Sequence, residues 1–215
     1  MSVSVPNGAL FAIASGYGSP ITFTAITNAT PASCASVAHG LVTGDIVEIT
    51  SGWSRLTNKV VRVTRSSADA FTLDGIDTTL TTIYPAGSGA GTVRKVTGWT
   101  QLSQILSTNS TGGEQQFLEY QMLESDAKKR VPTYKNPEGM TISVADDPTL
   151  PGFILASTAN DDRMQRAVKV TLPNASLIFY NAFISLNKTP SLTVNELMAC
   201  EATLSLQAES VRYAS

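Results

Sequence analysis

From Met198 to Ala208 the chain alternates without a break. Met198, Cys200, Ala202, Leu204, Leu206 and Ala208 fall on one side, and Glu201, Thr203, Ser205, Gln207 and Glu209 fall on the other. A helix would scatter these two sets around its axis, whereas a strand sorts them onto opposite faces, one apolar and one wet. The same period of two recurs upstream. Val168, Val170 and Leu172 alternate with Lys169 and Thr171, and Pro173-Asn174 then supplies a turn into Leu177 to Leu186, a run apolar on both faces. Such a run suits a strand packed on both sides. Residues 166 to 210 therefore read as a three-stranded antiparallel meander, and the chain as mainly β.

One short helix interrupts this pattern. Asp147-Pro148-Thr149-Leu150-Pro151 provides capping residues and an early-turn proline, Gly152 to Ser157 follows, and Asn160-Asp161-Asp162 ends it. Upstream, Leu118, Tyr120 and Met122 alternate with Glu119 and Gln121, and Met140, Ile142 and Val144 form a matching strand. The polar stretch between them, Glu124 to Gly139 with Lys128-Lys129-Arg130, Pro132 and Pro137, reads as a long functional hairpin loop. Residues 20–95 look like a separate small β module. Short strands are expected at Ile21 to Ile26, Ile46 to Ile49, Val60 to Thr64, Phe71 to Leu73 and Thr92 to Arg94, with turns at Thr43-Gly44-Asp45, Ser51-Gly52 and Asp74-Gly75. Glycine-bearing ends, Gly18-Ser19-Pro20 and Gly87 to Gly91, would let this module be inserted into a host domain made of 1–19 and 96–215, where Leu10 to Ala14 and Val96 to Ile105 are neighbouring strands.

Charge and chemistry narrow the function. The charged fraction is 15 % and the net charge −2, against roughly 25 % charged residues in an ordinary globular domain. Nothing here is a basic footprint for tight nucleic-acid binding. Cys34 and Cys200 fit no metal or redox spacing and read as buried small hydrophobes. The single histidine, His39, reads as a turn residue in His39-Gly40-Leu41. No acid/base or nucleophile set forms around it, so no enzyme is expected, and no cofactor. The pairs Asp146-Asp147 and Asp161-Asp162 flank the helix, where acidic residues ordinarily cap and terminate, and no metal site is expected of them. Trp99 is expected in the core. Trp53, on the Ser51-Gly52 turn, reads either as a plug at the end of a small barrel or as an exposed recognition spot. Met1 to Gly8 has neither a cationic start nor an apolar core, and no stretch approaches a membrane span, which predicts folding in a cytoplasm and no membrane partner.

Two sets of words carry a resemblance. Asp147-Pro148, Leu150 to Ala156, Val168 to Asn174, Phe179 to Ile184, Asn195-Glu196 through Leu206, and Leu118 to Asp126 resemble the lambda-like family of siphophage major tail tube proteins. Ala38 to Val47, Leu56-Thr57-Asn58, Phe71 to Gly75 and Gly91 to Val93 resemble a β module inserted or repeated in many phage virion proteins. The resemblance implies a tail-tube-type β-sandwich or barrel with one short helix, a long hairpin loop and a small inserted β domain. It implies a virion tail subunit, assembled in the bacterial host cytoplasm, that closes rings, expected to be hexameric, and stacks them into a conduit for the genome. Its partners would be further copies of itself, the tape measure protein, the tail terminator and distal tail proteins, and DNA that passes without specific binding. Lys128, Lys129, Arg130 and Tyr134 would then contact the adjacent ring, and Glu201, Thr203, Ser205, Gln207 and Glu209 would face the lumen. Another tail component (distal tail, baseplate or terminator) and a cell-surface glycan-binding module built around Trp53 are the alternatives.

Overall fold

A computed structural model describes residues 7–214; the opening Met1 to Pro6 lies outside the described residues. In chain order the strands are β1 (Leu10–Tyr17), β2 (Ile21–Phe23), β3 (Ala25–Ile26), β4 (Ala32–Ala35), β5 (Ile46–Ser51), β6 (Val60–Arg65), β7 (Ala70–Leu73), β8 (Gly91–Leu102), β9 (Ile105–Thr111), β10 (Gln115–Tyr120), β11 (Lys129–Lys135) and β12 (Gly139–Ala145). The helix α1 (Pro151–Asp162) follows, then β13 (Arg166–Thr171), β14 (Leu177–Leu186), β15 (Ala199–Leu206) and β16 (Val211–Tyr213). The chain is mainly β with one helix, as the periodicity predicts. The meander β13-β14-β15 is antiparallel throughout, with Val168 opposite Tyr180 and Ile184 opposite Leu204.

Hydrogen bonds run without interruption through β3-β4-β7-β6-β5-β8-β1-β13-β14-β15-β12-β9, with β2 added on β8 and β16 on β14. The sheet curls, so that β6 touches β14 although the two are not neighbours within it. Two apolar cores result. One gathers Phe23, Val47, Ile49, Trp53, Val61, Phe71 and Leu73 from residues 20–95 together with Ala14, Ala167, Phe179, Val211 and Tyr213 from outside that span. The other lies between the meander and α1, which lays Phe153, Ala156 and Ala159 onto it. A side chain at Gly152 is impossible without movement, because its Cβ would stand 2.3 Å from the carbonyl oxygen of Gln101; glycine lets the helix sit close on β8.

Several local expectations are corrected. Asp147 accepts bonds from the Thr149 N–H (3.1 Å) and hydroxyl (2.6 Å) ahead of the helix, and the N-cap residue, Leu150, makes no side-chain cap. The stretch expected as one long loop contains β11, which pairs with β10 as a separate two-stranded ribbon, while β12 pairs with β9 and β15. Pro132 is tolerated there because the ribbon is irregular between Gln115 and Phe117, the residue opposite the proline. Strand β8 continues unbroken from Gly91 to Leu102, across residues 95 and 96. Within Gly87 to Gly91, expected as a slack linker, Gly89 and Gly91 are closely packed while Gly87, Ser88 and Ala90 stay exposed. A Cβ on Gly89 would stand 2.4 Å from Ile26 and 2.7 Å from the Trp53 ring, and Ser51 donates to its carbonyl at 2.7 Å.

Candidate assembly interface

The exposed side of β15 extends into a wide polar face. Register places Ser143 and Ser107 beside Glu201, then Thr141, Asn109 and Ser185 beside Thr203, then Gly139, Thr111 and Phe183 beside Ser205. Directly opposite residues share a face of the sheet, so four strands present one surface, mostly serine, threonine and asparagine with the partly exposed Phe183 at one end, whose one acidic or basic side chain is Glu201. Its reverse carries Ile142, Val144, Ile184, Leu186, Cys200, Ala202 and Leu204, all buried in the second core. Gln207 and Glu209 follow β15 rather than continue it.

Glu209 turns instead into a cleft of about 330 Å³ at the root of the β10–β11 ribbon. There it meets Lys135 Nζ at 3.2 Å and Lys59 Nζ at 3.7 Å. The two lysines, with Arg55 close by, hold its carboxyl below the usual glutamate range. Tyr134 lines the same cleft. Two residues expected in different places, one between rings and one in a lumen, therefore stand together. The rest of the basic run is dispersed. Lys128 is in the turn at the ribbon tip, Lys129 begins β11, and Arg130 grips Glu119 across the ribbon, Nε donating to Oε1 at 2.8 Å. The ribbon is unusually bare for its apolar content: Phe117, Leu118, Met122, Val131 and Tyr134 are about half exposed or more, and Leu123 fully. A second exposed apolar set, Leu192, Val194, Leu197 and Met198, precedes β15. Exposed patches of this kind mark contact surfaces.

The end of the sheet is undefended. Beyond β12, β9 is the terminal strand, and Ile-Leu-Ser-Thr-Asn-Ser-Thr carries neither charge nor proline, the usual devices against pairing with another chain.

A second cavity, of about 560 Å³, lies where residues 20–95 meet the meander. Within its wall Glu48, only 6 % exposed, accepts from Arg94 Nη2 at 2.7 Å and from Asn181 Nδ2 at 3.0 Å. The Arg94 guanidinium also lies 4.6 Å over the Tyr17 ring. The Tyr17 hydroxyl accepts from the Ala167 N–H at 2.7 Å. This network is a seam rather than a reaction centre, since its charges already satisfy one another.

The remaining candidates take structural roles. His39 is buried: Nδ1 accepts the Leu41 N–H at 3.0 Å, which leaves Nε2–H to donate toward the carbonyls of Ser67 and Ala70. Cys34 and Cys200 are free and buried, and burial pushes the Cys34 thiol up to about 12. Asp161 holds Lys188 at 2.9 Å, and Asp162 pairs with Arg166. Trp99 is half-buried against the first core. Trp53 is 2 % exposed, its indole N–H donating to the Pro85 carbonyl at 2.9 Å. The exposed-recognition reading of Trp53 is thereby corrected in favour of the plug, and the glycan-binding alternative loses the feature that motivated it.

Fold and surfaces together define a mainly antiparallel β chain with one polar sheet face, an open sheet edge and a bare apolar ribbon. Residues 51–215 match the sequence model of the phage tail tube proteins, and the chain belongs to that family: it is a structural protein of the phage tail, not an enzyme. No curated protein matches it significantly. Among solved structures, it is similar to the sheath/tube terminator of an extracellular contractile injection system (PVC, extended state) at 17 % identity and a TM-score of 0.39, over 49 % of this chain and 84 % of that one. It is also similar to the tube-terminating cap of the anti-feeding prophage, at 18 % identity and a TM-score of 0.38, over 50 % and 79 %.

Proposed function

We propose that the chain is the major tail tube protein of a long-tailed siphophage, closing rings of six subunits that stack into the conduit for the genome. The observation that carries this reading is the face that Ser107, Asn109, Thr141, Ser143, Thr203 and Ser205 form around Glu201 on three adjacent strands. Lining a lumen, it offers phosphates no cation to hold and one carboxylate per subunit to repel them, so DNA slides without binding. Glu201, Thr203 and Ser205 are its centre; Gln207 and Glu209, first expected on the same face, line the ribbon-root cleft instead. Rings close when the open edge of β9 accepts a strand of the neighbouring subunit, which covers that edge. The ribbon, with Lys128, Lys129, Arg130 and Tyr134, reaches the adjacent ring, and residues 20–95 form an inserted domain projecting outward. Inside the tube sits the tape measure protein, and terminator and distal tail proteins close its ends. Assembly takes place in the bacterial host cytoplasm and the product is part of the virion tail. Negative-stain electron microscopy and sedimentation of the purified protein over a concentration series test this. Hollow tubes of stacked rings are expected. Single closed rings that never stack would transfer the chain to a terminator or baseplate role.

A further inference from the structure

The cleft at the ribbon root holds an imbalance. Arg55, Lys59 and Lys135 converge on it, and Glu209 is the one carboxylate among its walls. Glu209 is already bridged by both lysines, while Arg55 is exposed and has no ion-pair partner among the described residues. At about 330 Å³ the cleft is at the floor of the range for small-molecule pockets, but it has room for a side chain. What it lacks is a second carboxylate.

The chain carries carboxylates that lack partners, and two of them lie together at the far end of the same ribbon. The turn between β10 and β11 contains Glu124 and Asp126, both exposed and neither in an ion pair among the described residues, next to the fully exposed Leu123. Six residues of β10 at about 3.4 Å each place this tip about 20 Å from the root. Tip and root of one ribbon therefore cannot meet, but the tip of one copy can meet the root of another.

We infer that the cleft formed by Arg55, Lys59 and Lys135 is the socket for the ribbon tip of a second copy of this chain, Glu124 and Asp126 completing its charge and Leu123 packing at its rim. Such a contact joins two different surfaces of identical subunits. It need not close on itself and so can propagate along one direction, as a stack requires. This rests on the tube reading and specifies which residues join ring to ring. It also makes the two ends of the ribbon mutually dependent: both must be intact for stacking, and neither for ring closure through β9.

Charge exchange on the full chain tests it, with circular dichroism confirming that each variant folds. Arg55→Glu alone, and Glu124→Arg with Asp126→Arg, should each cut tube yield at least tenfold and leave rings. All three together should restore tubes. A second measurement does not rely on charge: Arg55→Cys with Asp126→Cys should give a ladder of disulfide-linked multimers on oxidation, since Cys34 and Cys200 are buried. Wild-type tubes with no rescue and no ladder would overturn the socket while leaving the tube reading intact. A wild-type protein that forms no tubes even beside its terminator and tape measure partners would remove both.

Discussion

Removing one oxygen atom tests whether residues 20–95 and the rest of the chain share a core. The Tyr213 hydroxyl, at the end of β16, donates to the Asp74 carbonyl at 2.9 Å and accepts from the Arg62 N–H at 2.9 Å. The ring is 6 % exposed, and the Arg62 guanidinium lies 4.5 Å over it. Tyr213→Phe keeps the ring, its packing on Phe179 and the cation above it, and strands two backbone groups. A buried group left unpaired costs about 1–3 kcal/mol. Arg62 and Asp74 are partly solvated, so water recovers some of this and about 2 kcal/mol in total is expected. In a chain of this size each 1 kcal/mol shifts Tm by roughly 2–4 °C, giving a fall of about 4–8 °C. Trp53 reports from residues 20–95 and Trp99 from β8 beside β1, so thermal unfolding followed in Trp53→Phe and Trp99→Phe backgrounds separates the two. Both signals should fall together and by the same amount. A shift confined to the Trp53 signal, or none above about 1 °C, would refute the shared core.

Three further outcomes follow from the same geometry. Glu48→Ala leaves Arg94 and Asn181 facing each other across the seam; because Arg94 is partly exposed, the cost should be about 2 kcal/mol rather than the 3–5 of a fully buried pair, measured by urea denaturation, with Glu48→Gln recovering about half. Gly89→Ala drives a methyl group into Ile26 and Trp53 and should cost about 1–3 kcal/mol, with a red shift of Trp53 emission as the check. Burial holds Cys34 and Tyr213 at about 12, against ordinary values of 9.0 and 10.0. The folded state therefore keeps protons that the unfolded chain releases, and stability present below pH 9 should fall as pH rises toward 12; a denaturation midpoint that is flat from pH 8.5 to 11 would contradict this.

What the sequence disclosed follows from what water does to each strand. Strands β14 and β15 are legible almost to the residue because each has a buried face that forces apolar residues into register. Strand β11 is not, because the ribbon has solvent on both sides and nothing compels Lys129 to Lys135 to alternate. Strand β9 is hidden for a related reason: Ser107, Asn109 and Thr111 face water, and Leu106, Thr108 and Ser110 are exposed as well. Strand β4 is four small residues, Ala-Ser-Cys-Ala, too short to show a period. The β15 strand of the polar face is readable from its own alternation. The Ser107–Ser143–Glu201 row is not, since register between distant strands leaves no local trace. The cleft is illegible for the same reason, its charges coming from residues 55, 59, 135 and 209. Trp53 stays open between plug and exposed spot in the sequence because a turn says nothing of what packs above it, and the structure gives the plug.

Strand β8 has a consequence for anyone who would edit this protein. Its first residues, Gly91 to Lys95, complete the sheet of β2 and β5, and its later ones, Val96 to Leu102, pair with β1. One rod thus belongs to two walls. Residues 20–95 cannot be excised by cutting at Pro20 and Lys95 and rejoining the ends, for that would lay Ala14, Ala167, Phe179 and Tyr213 open to water. Cargo is better carried at the far rim, where the turn Ser66 to Asp69 and the exposed Val37 lie outside both cores. A peptide grafted there would be held by strands of a continuous sheet rather than by a flexible linker.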